Sequence, residues 1–162
     1  MCIRDSPKGQ RFDLVVEKAT EIGVHTLIPM VTARSVVRPS ARDDRWTRWQ
    51  RIAISAMKQC GRTFLPRITP VMGFGEVLAQ VGHHDLGLIA WEGAEGEPLE
   101  RWMPRAGKVL LLIGPEGGFT PQEVEEAQRR GIKAISLGPR RLRAETAGIV
   151  ALSLVLHHLG DL

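Results

Sequence analysis

The chain has 162 residues, 43% of them apolar and 25% charged, with a formal net charge of +4 and a pI near 9.6. That length suits one domain with a real core, and the composition excludes a disordered chain. The longest apolar stretch, Ala147 to Leu156, is broken by Gly148 and Ser153 and is too short to span a membrane, so no membrane association is expected. Cys2 and Cys60 cannot build a disulfide framework and lack metal-ligand spacing, so no metal is expected. No secretory leader is visible, which leaves the cytoplasm as the default location. Most of the positive charge is arginine, whose planar fork suits phosphate-bearing partners, although so modest a net charge decides little alone.

Residues 1–6 show no helix or strand periodicity and are read as a start foreign to the fold, which is expected to be a single domain over 7–162. From Lys8-Gly9 the pattern turns helical, with Phe12, Val15, Val16, Ala19 and Ile22 on one face and Gly23 as the stop. His25 to Val31 reads as a strand that opens into Thr32-Ala33-Arg34-Ser35. Pro39-Ser40 and Asp43-Asp44 introduce a helix that carries Trp46, Trp49, Ala53, Ala56, Met57 and Cys60 at helical spacing. Gly61 ends it, and Arg42, Arg45, Arg48, Arg51 and Lys58 occupy its other faces, either solvated or in contact with RNA. Pro66 to Pro70 reads as an extended link, Phe74 to Val81 as a short helix, Leu86 to Ala90 as a buried strand ending at Trp91-Glu92-Gly93, and Glu97 to Met103 as another short helix. Strands alternating with helices imply α/β architecture, a mainly parallel sheet with helices on both faces.

The last third holds the densest signals. Two hydrophobic strands, Val109 to Ile113 and Ile132 to Leu137, each run into Gly-Pro, so the backbone breaks sharply at a strand's carboxyl end. Ligands bind at that edge of open α/β sheets, which predicts a small-molecule pocket there. The first turn, Gly114-Pro115-Glu116-Gly117-Gly118, has neither the Lys-Ser/Thr pair of a P-loop nor dinucleotide glycine spacing. After it, Thr120, Pro121 and Glu123 make a complete helix start, a capping box with proline in the first turn. The second turn sets Arg140, Arg141, Arg143, Glu145 and Thr146 before a helix, Glu145 to Leu159, that is apolar nearly all round and expected to be buried between layers or against another subunit.

Taken together, Lys8-Gly9-Gln10-Arg11, Lys18-Ala19-Thr20-Glu21-Ile22-Gly23-Val24, Pro29, Thr32-Ala33-Arg34-Ser35, Gln59-Cys60-Gly61-Arg62, Ile113-Gly114-Pro115-Glu116-Gly117-Gly118-Phe119 and the run from Leu137 to Ala147 resemble the ribosomal RNA small subunit methyltransferase E family. The resemblance runs in order from about Pro7 to the C-terminus. It implies a SPOUT-type fold with a C-terminal trefoil knot, S-adenosylmethionine as cofactor, a homodimer, and methylation of N3 of a uridine in 16S rRNA or the small ribosomal subunit. Carried over by motif, the cofactor would lie against Trp91, Glu92, Ile113, Gly114, Pro115, Glu116, Gly118, Leu137, Gly138, Leu142, Thr146 and Ala147. Arg143 and Arg140 are the candidates for stabilising the uracil anion or gripping phosphate, Glu145 for the base, and Arg11, Lys18 and Arg34 for RNA contact.

The family also carries an N-terminal PUA-like domain followed by a strand that enters the catalytic sheet. Residues 1–6 are expected to supply neither. Arg141 stands where the motif commonly has an apolar residue. Two alternatives remain: a non-catalytic RNA-binding fragment of the same fold, and a methyltransferase acting on another RNA position.

Overall fold

The protein is described by a computed structural model covering residues 2–4, 10–35, 44–94, 99–103 and 107–162. In chain order these form β1 (Cys2–Arg4), α1 (Gln10–Ile22), β2 (Thr26–Val31), α2 (Arg45–Cys60), β3 (Arg67–Ile68), β4 (Met72–Gly73), α3 (Phe74–Leu78), β5 (Leu86–Ala90), β6 (Val109–Ile113), α4 (Pro121–Arg129), β7 (Lys133–Ile135) and α5 (Ala144–Leu159). The Lys8-Gly9 start, the Pro39-Ser40 lead-in with Arg42 and Asp43, and Glu97 and Pro104 lie outside the described residues.

The strands form one seven-stranded sheet in the order β3-β2-β1-β6-β5-β7, with β4 also on β2, and the pairings are parallel. A parallel sheet needs cover on both faces, and the alternation along β6 shows how it is met. Leu111 and Ile113 pack with Phe12, Val16, Trp49 and Leu152 from α1, α2 and α5. Leu110 and Leu112 point the other way, against Phe74, Val77, Val124 and Ala127 from α3 and α4. Each such fully buried leucine contributes about 1.5–3 kcal/mol.

Several expectations change. Residues 2–4 are not outside the fold, because β1 lies between β2 and β6, with Cys2 opposite Ile28 and Leu112. A three-residue strand is too short to show a period of two, and its pairing rests on backbone hydrogen bonds that leave no side-chain pattern. The proline-bounded link contains β3, an edge strand on β2. The helix expected over Phe74 to Val81 ends at Leu78, and a 3₁₀ turn at Val81–His83, centred on Gly82, follows. Of the helix expected to end at Met103, only a 3₁₀ turn at Leu99–Arg101 is present among the described residues. On α2, Arg48 turns from the basic face to pair with Asp13 of α1. The last helix buries Ala151, Leu152, Val155 and Leu156 but leaves Leu154 exposed.

Arg62 secures the end of α1. Gly61 takes the left-handed conformation (φ 73°) that ends α2. The Arg62 guanidinium then donates to the carbonyl of Thr20 in the last turn of α1 at 2.8 Å, which has no helical partner, and to those of Gly23 at 3.0 Å and Val24 at 3.1 Å just beyond the helix. Arg62→Ala should lower stability by about 1.5–3 kcal/mol in urea denaturation. Arg62→Lys should not restore it, because an ammonium cannot span carbonyls that a fork reaches from two nitrogens.

Candidate functional site

At the carboxyl edge of the sheet, the loops leaving β2, β5, β6 and β7 enclose a cavity of about 320 Å³. The β5 exit contributes Ala90, Trp91 and Glu92, and the β6 exit contributes Ile113 to Phe119. The β7 exit contributes Ser136, Leu137, Gly138, Arg140, Arg141 and Leu142. Ala144 and Ala147 come from the first turn of α5, and Arg34 from the β2 loop.

The backbone can follow this path because glycines stand at the bends. Gly118 (φ 68°) closes a turn by donating its N–H to the Pro115 carbonyl at 2.8 Å, and Gly138 takes φ 103°. A Cβ on Gly114 would lie only 3.1–3.2 Å from the Phe119 ring and amide, so a side chain there would push the buried Phe119. Trp91 donates its amide to the Ile135 carbonyl at 3.0 Å, which ties the β5 exit to the end of β7. Its indole lies flat on Gly93, where a Cβ would come within 2.6–2.9 Å of the ring.

Eleven of the twelve residues expected at a cofactor line this cavity: Trp91, Glu92, Ile113, Gly114, Pro115, Glu116, Gly118, Leu137, Gly138, Leu142 and Ala147. Thr146 does not. Ala144 and Ala147, three apart on α5, share the face toward the cavity and turn Glu145 and Thr146 away from it. Of the residues expected in chemistry, Arg140 lines the cavity, whereas Arg143 occupies the N-cap position of α5 and Glu145 its first turn, both outside the lining. Among the described residues Arg140 and Arg143 have no ion-pair partner.

The expected RNA residues have different surroundings. Arg34 lines the cavity and donates to the Gly117 carbonyl. Arg11 pairs with Glu116 of the cavity wall at 3.1 Å. Lys18 lies on α1, where hydrogen bonds to Glu17 and then Glu21 raise its pKa above the ordinary lysine value and keep it charged. Arg141 reaches Glu92 at 2.8 Å, so one ion pair joins the β5 and β7 exits. Gly93, expected as part of the Trp91-Glu92-Gly93 exit, seats Trp91. Sequence reasoning missed Ser136, whose hydroxyl accepts the Gly138 amide at 3.3 Å; it stands directly after the end of β7, and that position was the available signal.

A family model described as an RNA methyltransferase domain matches residues 2–156. The chain belongs to the RNA methyltransferase domain family. This domain is 36% identical to ribosomal RNA small subunit methyltransferase E of Bacillus subtilis, over 92% of this chain and 62% of that protein. The solved ribosomal RNA small subunit methyltransferase E of Neisseria gonorrhoeae, bound to S-adenosyl methionine, matches with a TM-score of 0.87 at 33% identity, over 96% of this chain and 64% of that one. A Legionella pneumophila protein solved with its bound cofactor SAM matches with a TM-score of 0.88 at 32% identity, over 97% and 64% of the two chains. This RNA methyltransferase domain therefore spans about three-fifths of the length of the relatives it matches. The family resembled by its motifs is the one that the Bacillus and Neisseria relatives' names carry.

The seat of Trp91 can be tested directly. Gly93→Ala should displace the indole and shift tryptophan emission to the red, with the far-ultraviolet circular dichroism unchanged. The same substitution in a Trp91→Phe background should leave emission as it was.

Proposed function

We propose that this chain is the catalytic domain of a cytoplasmic S-adenosylmethionine-dependent methyltransferase that methylates N3 of a uridine in 16S rRNA of the small ribosomal subunit. The observation that carries this reading is the cavity at the carboxyl edge, walled by the β5, β6 and β7 exits together. The cofactor fits the residues present. Gly114 and Gly118 carry no side chain at two points of the β6 exit, so backbone can lie against a ligand there, and Ile113, Pro115, Leu137 and Leu142 offer apolar contact. The two solved relatives described above hold the same cofactor.

When bound, S-adenosylmethionine supplies an electrophilic methyl group. The chain's own task is then to align the uracil ring and make its N3 nucleophilic, because N3 carries a proton that must leave. Arg140, on the cavity wall, stabilises the negative charge that develops on the ring as that proton departs. Arg143, beside the lining residues Leu142 and Ala144, shares that charge or grips the adjoining phosphate; Glu145, expected as the base, lies on the α5 face turned from the cavity, so the N3 proton passes to solvent. Arg34, Arg11 and Lys18 hold the RNA backbone. Arg34 and Arg11 stand in contact with Gly117 and Glu116 of the β6 exit.

We also assign the C-terminal third to a SPOUT-type trefoil knot and the assembly to a homodimer. The chain passes from β6 to β7 across β5, which separates them in the sheet, and this crossing supports the first assignment. The exposed Leu154 on the apolar α5 supports the second.

Incubation with unmethylated small ribosomal subunits and isotopically labelled methyl donor, followed by digestion and mass spectrometry of nucleosides, should yield labelled 3-methyluridine. Label in another nucleoside would select another RNA position, and RNA retained without label would select the non-catalytic reading. Arg140→Ala should lower kcat by about a hundredfold with donor affinity little changed, as expected for a group that acts on charge in the transition state.

A further inference from the structure

We infer that Glu123 is a positioning residue whose carboxylate couples the turn after β6 to the loop after β2 and thereby aims Arg34 at the cavity. Its consequence for turnover rests on the methyltransferase reading. The positioning itself does not.

Glu123 is only 8% exposed. One of its oxygens, Oε2, closes the local cap, accepting the Thr120 amide at 2.8 Å and lying 3.2 Å from the Thr120 hydroxyl. With the Glu123 amide donating to the Thr120 hydroxyl at 3.2 Å, the capping box is complete and asks no more of the carboxylate. The other oxygen, Oε1, accepts the Ala33 amide at 2.8 Å, from a residue 90 positions earlier. Burying a carboxylate is costly unless its oxygens are satisfied, and here two backbone amides from separate loops satisfy them.

The β2 loop is itself a tight turn. The Ser35 amide donates to the Thr32 carbonyl at 3.0 Å, and the Ser35 hydroxyl accepts the Thr32 amide at 2.7 Å. Ala33 is the second residue of that turn and Arg34 the third. The stem of Arg34 crosses Gly117, where a Cβ would meet its Cδ at 3.4 Å and its Cβ at 3.5 Å. Its guanidinium donates to the Gly117 carbonyl. Arg34 is thus held at two points of the β6–α4 connection, through the Ala33 amide that precedes it by Glu123 and through its own head by Gly117. Ordering of Gly114 to Gly118 around a ligand therefore also orders Arg34, which links donor occupancy to the grip on RNA.

Ala33→Pro tests this. It deletes the N–H that Glu123 accepts, and the second position of a turn favours proline. The order of the Arg34 side chain, read from the heteronuclear NOE of its Nε–H, should fall, while the dissociation constant for S-adenosylmethionine stays within about twofold. KM for RNA should rise by about tenfold, the effect of one lost hydrogen bond. In an Arg34→Ala background the same substitution should add less than about twofold, because both changes remove one device.

Unchanged Arg34 order, or effects that multiply in the double variant, would overturn the inference. If circular dichroism shows Ala33→Pro to be unfolded, Glu123→Gln and Thr120→Ala replace it. Glutamine offers one acceptor oxygen for two loops and should loosen Arg34, whereas Thr120→Ala weakens the cap and should leave Arg34 ordered. Arg34 equally ordered in Glu123→Gln would again overturn the inference. A wild-type chain that binds no donor would instead sink the methyltransferase reading, and Arg34 order would still decide the positioning.

Discussion

Parallel pairing is the constraint from which the site follows. With the strands running one way, their carboxyl ends meet on one edge, and so do the loops that leave them. β6, buried on both faces, carries the Gly114–Gly118 turn into the middle of that edge, with β5 beside it and β7 next. The cavity is the gap those loops leave between them. Its position follows from strand direction and order before any side chain is considered, in keeping with where ligands sit in open α/β sheets.

The rim of the cavity is charged on both sides. Arg11 pairs with Glu116 at its wall, Arg141 with Glu92 between the β7 and β5 exits, and Arg34 is held by a carbonyl. Such exposed pairs contribute little to stability, about 0–1 kcal/mol each. Their effect is on arrangement, since each joins two segments far apart in the chain. A phosphate arriving at this rim would compete with Glu116 for Arg11, whereas Arg140 has no ion-pair partner among the described residues to give up.

Where the backbone had to do something unusual, the sequence was readable. Gly114-Pro115 and Gly138-Pro139 mark breaks at strand ends, and Thr120, Pro121 and Glu123 announce α4, whose capping box forms as read. The apolar period of α1 likewise became its buried face of Phe12, Val15, Val16 and Ala19. Illegible were the features made by pairing across distance. The strand at Cys2–Arg4 is visible only as a partner of β2 and β6. Glu123 announced its cap through a neighbour three residues away, but nothing local announced its bond to Ala33. Thr146 lies outside the lining because a motif gives residue order, whereas successive residues on a helix point about 100° apart and face different ways.

The cavity between the β5, β6 and β7 exits is proposed to receive a methyl donor. Calorimetric titration of the purified chain with S-adenosylmethionine, with S-adenosylhomocysteine and ATP in parallel, tests it most directly. Saturable binding of the first two and none of ATP is expected, abolished when a side chain at Gly114 displaces Phe119. A folded chain that binds neither adenosyl compound, or binds ATP as well as either, would contradict it.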